Sequence, residues 1–265
     1  MSTDHRMMGN LEVADSISAP GTINIFIQMR RKMRGAYMMK IPIVVVNFKT
    51  YQEATGERAV KLAELIANIS KQSGVQAAVS PQTVDLAIIA GKVDIPVLAQ
   101  HVDPIKPGRN TGFISPESAK AGGAAGTLVN HSEHKLPHDQ VKAIITRAKE
   151  VGLHTIACTA DIEESKKIAE FAPDMIAVEP PELIGSGVSV STAKPEIVRD
   201  SVKVVKEKNP EIKVLCGAGI TSGDDVTKAL ELGAEGVLIA SGVVKAKDQR
   251  AAFQDIVNGV LKFQK

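Results

Sequence analysis

Three residues of the kinds that move protons each stand just past a short apolar run. Lys49 follows Ile43-Val44-Val45-Val46-Asn47-Phe48, His131 follows Thr127-Leu128-Val129-Asn130, and Glu179 follows Met175-Ile176-Ala177-Val178. A cation, an imidazole and a carboxylate brought together suit proton transfer beside a carbonyl. The carboxylate takes the proton from carbon, while the cation and the imidazole stabilise the negative charge that develops on oxygen. No metal and no cofactor is needed for that chemistry. His131, His134 and His138 are spaced closely enough to suggest a metal cluster, but the set lacks a fourth ligand or a matching second pair. Each of the three residues also has a plainer reading. Lys49 fits a solvated strand end, His131 a satisfied core histidine and Glu179 half of a surface ion pair.

What would bring such residues together is a repeating βα pattern. From Ile41 onward, apolar runs of a few residues alternate with stretches whose apolar residues recur at spacings of three and four. The runs predict strands over 41–46, 75–79, 96–99, 127–130, 154–158, 175–178, 213–216 and 236–239. Helices are expected over 57–70, 83–90, 117–121, 138–151, 162–170, 195–207, 224–231 and 246–263. Strands apolar on both faces belong to parallel sheets covered by helices. A doubly wound nucleotide-binding sheet would carry G-x-G-x-x-G after its first strand, where this chain has Asn47-Phe48-Lys49. The expectation is a single (β/α)8 barrel over residues 38–265, with short helices in its second half.

In such a barrel the strand ends converge on one face, and function collects there. Those ends supply Asn47 and Lys49, Gln100 and His101, His131, and Glu179. Three small turns join them: Gly185-Ser186-Gly187, Gly217-Ala218-Gly219 and Ala240-Ser241-Gly242. Such turns expose backbone N–H groups that can cradle a phosphate. Taken singly, each could merely end a strand.

Composition narrows the rest. There is no Trp, two Tyr and six Phe, which argues against an aromatic platform for nucleic acid. Residues 1–37 carry five Lys/Arg and three Asp/Glu, leaving 27 of each sign for the remainder and no basic face. Residues 1–37 read as a disordered leader or an overlong translated start, because the cluster Arg30-Arg31-Lys32-Arg34 follows its apolar patch rather than preceding it. No run of 18 apolar residues suggests a membrane span. Cys158 and Cys216 lie far apart in apolar stretches and read as reduced thiols, so a cytoplasmic setting is expected.

From about Lys40 to its end the chain resembles the triosephosphate isomerase family, and within it the short archaeal branch. Asn47-Phe48-Lys49 is similar to the family's N-x-K, Asn130-His131-Ser132-Glu133 to its G/N-H-S-E, and Glu179-Pro180 with Ile184-Gly185-Ser186-Gly187 to its catalytic glutamate and phosphate-gripping lid. Thr111-Gly112 resembles the tip of its dimer-forming loop. The resemblance implies interconversion of dihydroxyacetone phosphate and D-glyceraldehyde 3-phosphate through an enediolate. It makes Glu179 the base, His131 a neutral electrophile and Lys49 a fixed positive charge placed with the help of Asn47; these roles are the family's, not read from spacing. By the same resemblance Asn47, Phe48, Lys49, Ile184, Gly185, Gly219, Ala240 and Ser241 contact substrate or its phosphate. The chain is then expected to self-associate, as a tetramer first and a dimer next. It departs from the commoner pattern at Pro180-Pro181-Glu182-Leu183, which lacks an aromatic residue, and at Cys216-Gly217-Ala218-Gly219, which lacks the usual Tyr and Ser. Another phosphate-binding barrel, or a barrel kept as a scaffold, are the rival readings; the scaffold predicts loss of at least one of Lys49, His131 and Glu179.

Overall fold

The aliphatic runs form eight strands: β1 (Ile43–Asn47), β2 (Gln76–Ser80), β3 (Leu98–Ala99), β4 (Gly126–Val129), β5 (His154–Thr159), β6 (Met175–Val178), β7 (Lys213–Cys216) and β8 (Gly236–Ile239). The computed structural model describes residues 39–180 and 189–264. The expectations for residues 1–37 and for the lid at 181–187 therefore lie outside the described residues. All pairings are parallel, in the order β2-β1-β8-β7-β6-β5-β4-β3. One parallel bridge between Val79 and Val97 joins the two ends, so the sheet curls into a nearly closed barrel.

Period-two alternation separates two cores. Ile43, Val45, Ala78, Leu98, Leu128, Ile156, Cys158, Met175, Ala177, Leu215 and Leu238 form one buried cluster, drawn from all eight strands and from no helix. This is the barrel interior, with Met39 packed against it. Their neighbours Val44, Val46, Val79, Ala157, Ile176, Val178, Val214, Val237 and Ile239 face outward and pack under the helices. Continuing the interior parity toward the strands' C-terminal ends brings Asn47, Ser80, Gln100, Glu179, Gly217 and Ala240 to one rim. The alternation thus selects the residues that face the site.

The covering helices are α1 (Glu57–Ser73), α2 (Thr83–Lys92), α3 (Pro116–Ala121), α4 (His138–Glu150), α5 (Ile162–Ala169), α6 (Val190–Ala193), α7 (Pro195–Lys208), α8 (Gly223–Glu231), α9 (Ser241–Val244) and α10 (Gln249–Phe263). Their starts are set by local chemistry. The Asp161 side chain accepts from Glu164 N at 2.8 Å to begin α5, and Ser222 with Asp225 forms a capping box on α8. The expected shortness in the second half falls on α5 and α8, of eight and nine residues, while α7 and α10 run to 14 and 15. Two single-turn helices, α6 and α9, were not foreseen from the sequence. The last helix begins at Gln249 rather than at 246, because Asp248 accepts from Ala251 N at 2.9 Å and fixes the start there. No helix among the described residues is long and apolar enough to cross a membrane.

Candidate active site

Asn47 ends β1 on the interior face and is buried. Its Oδ1 accepts the backbone N–H of Lys49 at 2.9 Å, and Lys49 itself lies in the left-handed region at φ 47°. That conformation is rare for a residue with a Cβ. It turns the chain so that Lys49 enters the cleft, where Nζ donates to Glu133 Oε1 at 2.7 Å. Phe48, between them, points the other way. Its side chain is fully buried in the layer beneath the helices and is not among the residues lining the cleft.

β4 stops at Val129, and the chain then turns through Asn130 at φ 61°. Asparagine tolerates this region because its short polar side chain bonds locally. Here Nδ2 donates to Cys158 O at 2.9 Å and to Glu164 Oε1 at 3.0 Å, while Oδ1 accepts from Leu136 N at 3.0 Å. Lys135 Nζ donates to both Glu164 oxygens, at 2.6 and 2.8 Å. The loop carrying His131 is thereby tied to β5 and α5.

His131 caps a 3-10 turn, Ser132–His134, and its Nδ1 accepts the Glu133 backbone N–H at 3.2 Å. A neutral imidazole that accepts at Nδ1 carries its hydrogen on Nε2. Burial is the main cause that lowers its pKa to about 4, helped by the positive charge of Lys49 and opposed by Glu133. The ring is neutral at pH 7 and presents an Nε2–H donor to the cleft. That nitrogen lies 3.6 Å from Glu179 Oε1.

Glu179 follows β6 with 3% of its surface exposed, and its Oε2 has no hydrogen-bond partner among the described residues. Burial raises its carboxyl to about 7; hydrogen bonding with the Cys158 thiol and the charge of Lys49 pull the other way. The adjoining strand makes room for it through Gly217, where a Cβ would stand 2.5 Å from Glu179 Cγ. Burial also keeps both cysteines, Cys158 and Cys216, as protonated thiols.

Asn47, Lys49, His131, Glu179, Gly219, Ala240 and Ser241 line one open cleft. Seven of the expected positions are thus together, Phe48 is not, and Ile184 and Gly185 lie outside the described residues. On the side away from His131 the wall is Gly217, Gly219 at φ 70°, Ile220, Thr221, Ala240 and Ser241. The first N–H groups of a helix such as α9 have no intrahelical acceptor, and small residues leave them accessible, which suits an anion there. Tyr51, Ile220, Thr221, Leu238 and Ile239 also line the cleft and were missed by the sequence reading. Tyr51 carried a signal, standing two residues beyond Lys49. Among the described residues no three His, Cys, Asp or Glu could hold a metal ion, and His131, His134 and His138 form no such group. A base poised near pH 7, a neutral donor opposite it and a fixed cation can move a proton between atoms of a small anionic molecule.

A sequence model of the family described as "Triosephosphate isomerase" matches residues 42–260. The chain is 51% identical over 219 residues to a protein named triosephosphate isomerase from Methanothermus fervidus, which covers 83% of this chain and 99% of the relative. It is likewise 51% identical over 215 residues to the one from Methanocaldococcus jannaschii, covering 81% and 98%. For the one from Methanosarcina barkeri the identity is 47% over 219 residues, covering 83% and 99%.

Proposed function

The chain belongs to the triosephosphate isomerase family, and we propose from this that it interconverts dihydroxyacetone phosphate and D-glyceraldehyde 3-phosphate through an enediolate, without cofactor. The observation that supports this most is the meeting of a buried carboxylate and a neutral Nε2–H, Glu179 and His131, across 3.6 Å in a cleft that also holds Lys49.

Glu179 takes a proton from one carbon of the substrate and returns it to the neighbouring carbon. Its raised pKa makes it a stronger base than an exposed carboxylate, and burial removes competing water. His131 donates its Nε2 hydrogen bond to the oxygen on which charge develops, and Lys49 supplies positive charge beside the enediolate. Asn47 sets the backbone turn that aims Lys49. The phosphate rests against Gly219, Ala240 and Ser241.

The chain self-associates, as a tetramer in first place and a dimer in second. Val84 and Ile88 on α2 and Phe113 in the loop after β3 are exposed apolar side chains beyond the ends of adjacent strands, and Thr111-Gly112 lies in that same loop. Light scattering on the purified chain tests this, and a monomer at micromolar concentration would refute it. The two unpaired thiols accord with a cytoplasmic setting. Residues 1–37 take no part in catalysis on this reading.

The deciding experiment is isomerisation of D-glyceraldehyde 3-phosphate by the full chain with no added metal or cofactor, beside a chain beginning at Met39. Glu179→Gln should keep phosphate binding and lose most turnover, and Lys49→Ala should weaken both. Normal turnover in either variant removes the role assigned to that residue, and unequal rates in the two chains would give residues 1–38 a part in catalysis.

A further inference from the structure

Gln100 is the first residue after β3. Its side-chain nitrogen lies 2.9 Å from the Lys49 carbonyl oxygen, 3.1 Å from Ser80 O and 3.4 Å from Asn47 Oδ1. An amide nitrogen carries two hydrogens, so the two shorter contacts are its hydrogen bonds and Asn47 Oδ1 is the outer neighbour. Asn47 Oδ1 already accepts the Lys49 N–H at 2.9 Å. The two peptide groups that flank the Lys49 Cα are therefore both held, the N–H by Asn47 and the C=O by Gln100.

That Cα needs holding. Lys49 sits at φ 47°, a region that L-residues with a side chain occupy only when their surroundings impose it. Ser80 O, the other acceptor of Gln100, also accepts Phe48 N at 2.9 Å. One carbonyl at the end of β2 thus anchors both the residue before Lys49 and the side chain that grips Lys49 itself. Gln100 reaches from β3 across β2 to the end of β1, a span that selects its side chain. Asparagine is one methylene shorter, glutamate has no donor when ionised, and lysine would place a second cation beside Lys49.

We propose that Gln100 is a positioning residue for the isomerisation, locking the left-handed turn at Lys49 so that its Nζ points into the cleft. This rests on the role given to Lys49 above. Gln100→Met keeps the shape and removes both donors, leaving the Lys49 carbonyl free to rotate. The expected loss in kcat/KM is about 10- to 100-fold, the range that follows from a lost buried hydrogen bond combined with displacement of a catalytic group.

A double-mutant cycle separates positioning from general loosening. If Gln100 acts through Lys49, adding Gln100→Met to Lys49→Ala should change kcat/KM by less than about twofold, since no ammonium is left to aim. Where the Lys49→Ala rate is too low to follow, affinity for 2-phosphoglycolate, whose carboxylate stands in for the enediolate oxygens, is read through the same four proteins. Should Gln100→Met not yield folded full-length chain, Gln100→Glu at pH 8 completes the cycle, its carboxylate having the same shape and no hydrogen to donate. Unchanged kcat/KM in the Gln100 variant, or an equal loss in both backgrounds, overturns the proposal. A parent chain without isomerase activity, or Lys49→Ala as active as the parent, would instead overturn the function on which it rests.

Discussion

Replacing Glu179 by Gln should stabilise the folded chain in alkaline solution while abolishing proton transfer. Burial lifts the Glu179 carboxyl from 4.5 to about 7. Between those values the folded chain holds more protons at this site than the unfolded chain does, so stability falls as pH rises from about 4.5 through about 7. The full difference is about 3 kcal/mol, most of which falls between pH 5 and pH 8.5. His131 works in the opposite sense. Its pKa is lowered to about 4 from 6.5, so the folded chain holds fewer protons there and stability rises with pH across that window. In the parent the two slopes nearly cancel between about pH 4.5 and 6.5. In Glu179→Gln only the histidine slope remains. Urea unfolding of both proteins at equal concentration at pH 5, 6, 7 and 8.5 reads the difference directly. Relative to the parent, the variant should gain about 2–3 kcal/mol on going from pH 5 to 8.5, or roughly 5–10 °C in Tm for a domain of this size. Any hydrogen bond that the amide gains or loses is independent of pH and drops out of the comparison. A difference that does not vary with pH, or that shrinks toward alkaline pH, would refute the claim that Glu179 is ionised at the expense of the fold.

Gly217→Ala would put a Cβ 2.5 Å from Glu179 Cγ. Displacing the base by such an amount should lower kcat by about 100-fold, with inorganic phosphate still competing against substrate at near-parental concentrations; parental kcat would show that Glu179 can act from elsewhere. Gly259→Ala would place a Cβ 2.1 Å from Gly223 O, forcing α10 off the start of α8. Stability should fall by about 3 kcal/mol in urea unfolding, with kcat unchanged in the protein that remains folded. Ala172 stands just beyond α5 at φ 51°, so Ala172→Gly should raise stability by about 1 kcal/mol without altering turnover. An unfolding midpoint at or below the parent's would show that the turn carries no strain.

The strands were legible because each needs only a short aliphatic run, and all eight appear within two or three residues of where such runs predict. The helices missed were α6 and α9, one turn each, too short for a 3.6-residue period to register. α9 matters to the site, and its one sequence signal was the small pair Ser241-Gly242. Lys49, His131 and Glu179 were legible as strand-end residues. Phe48 could have been set aside by the alternation itself, since a residue directly after inward-facing Asn47 points outward. What could not be read from the chain is conformation imposed from a distance. The left-handed turn at Lys49 is held by Gln100, 51 residues away. The raised proton affinity of Glu179 arises from its burial, which the hydrogen bond with Cys158 on β5 opposes, in space left by Gly217 just past β7.

Those remote contributions decide whether the raised carboxyl helps or hinders. A shift from 4.5 to about 7 makes Glu179 on the order of 300-fold more basic, while at pH 7 only about half of it remains ionised. The exchange favours catalysis whenever the rate depends on base strength with a Brønsted exponent above about 0.1, a condition that proton abstraction from carbon by a positioned base meets. Lowering His131 follows the same logic from the other side. With a pKa of about 4 it is protonated in roughly one molecule in a thousand at pH 7, so it does not draw the proton from Glu179 and remains a neutral donor at Nε2. Were both groups left at their ordinary values, the carboxylate would be a weaker base and the imidazole, a quarter protonated at pH 7, would form an ion pair with it across the 3.6 Å between them. The burial that disfavours each charge separately is therefore what keeps the two from neutralising one another, and the barrel interior beneath them, aliphatic from Ile43 to Leu238, is what makes that burial stable.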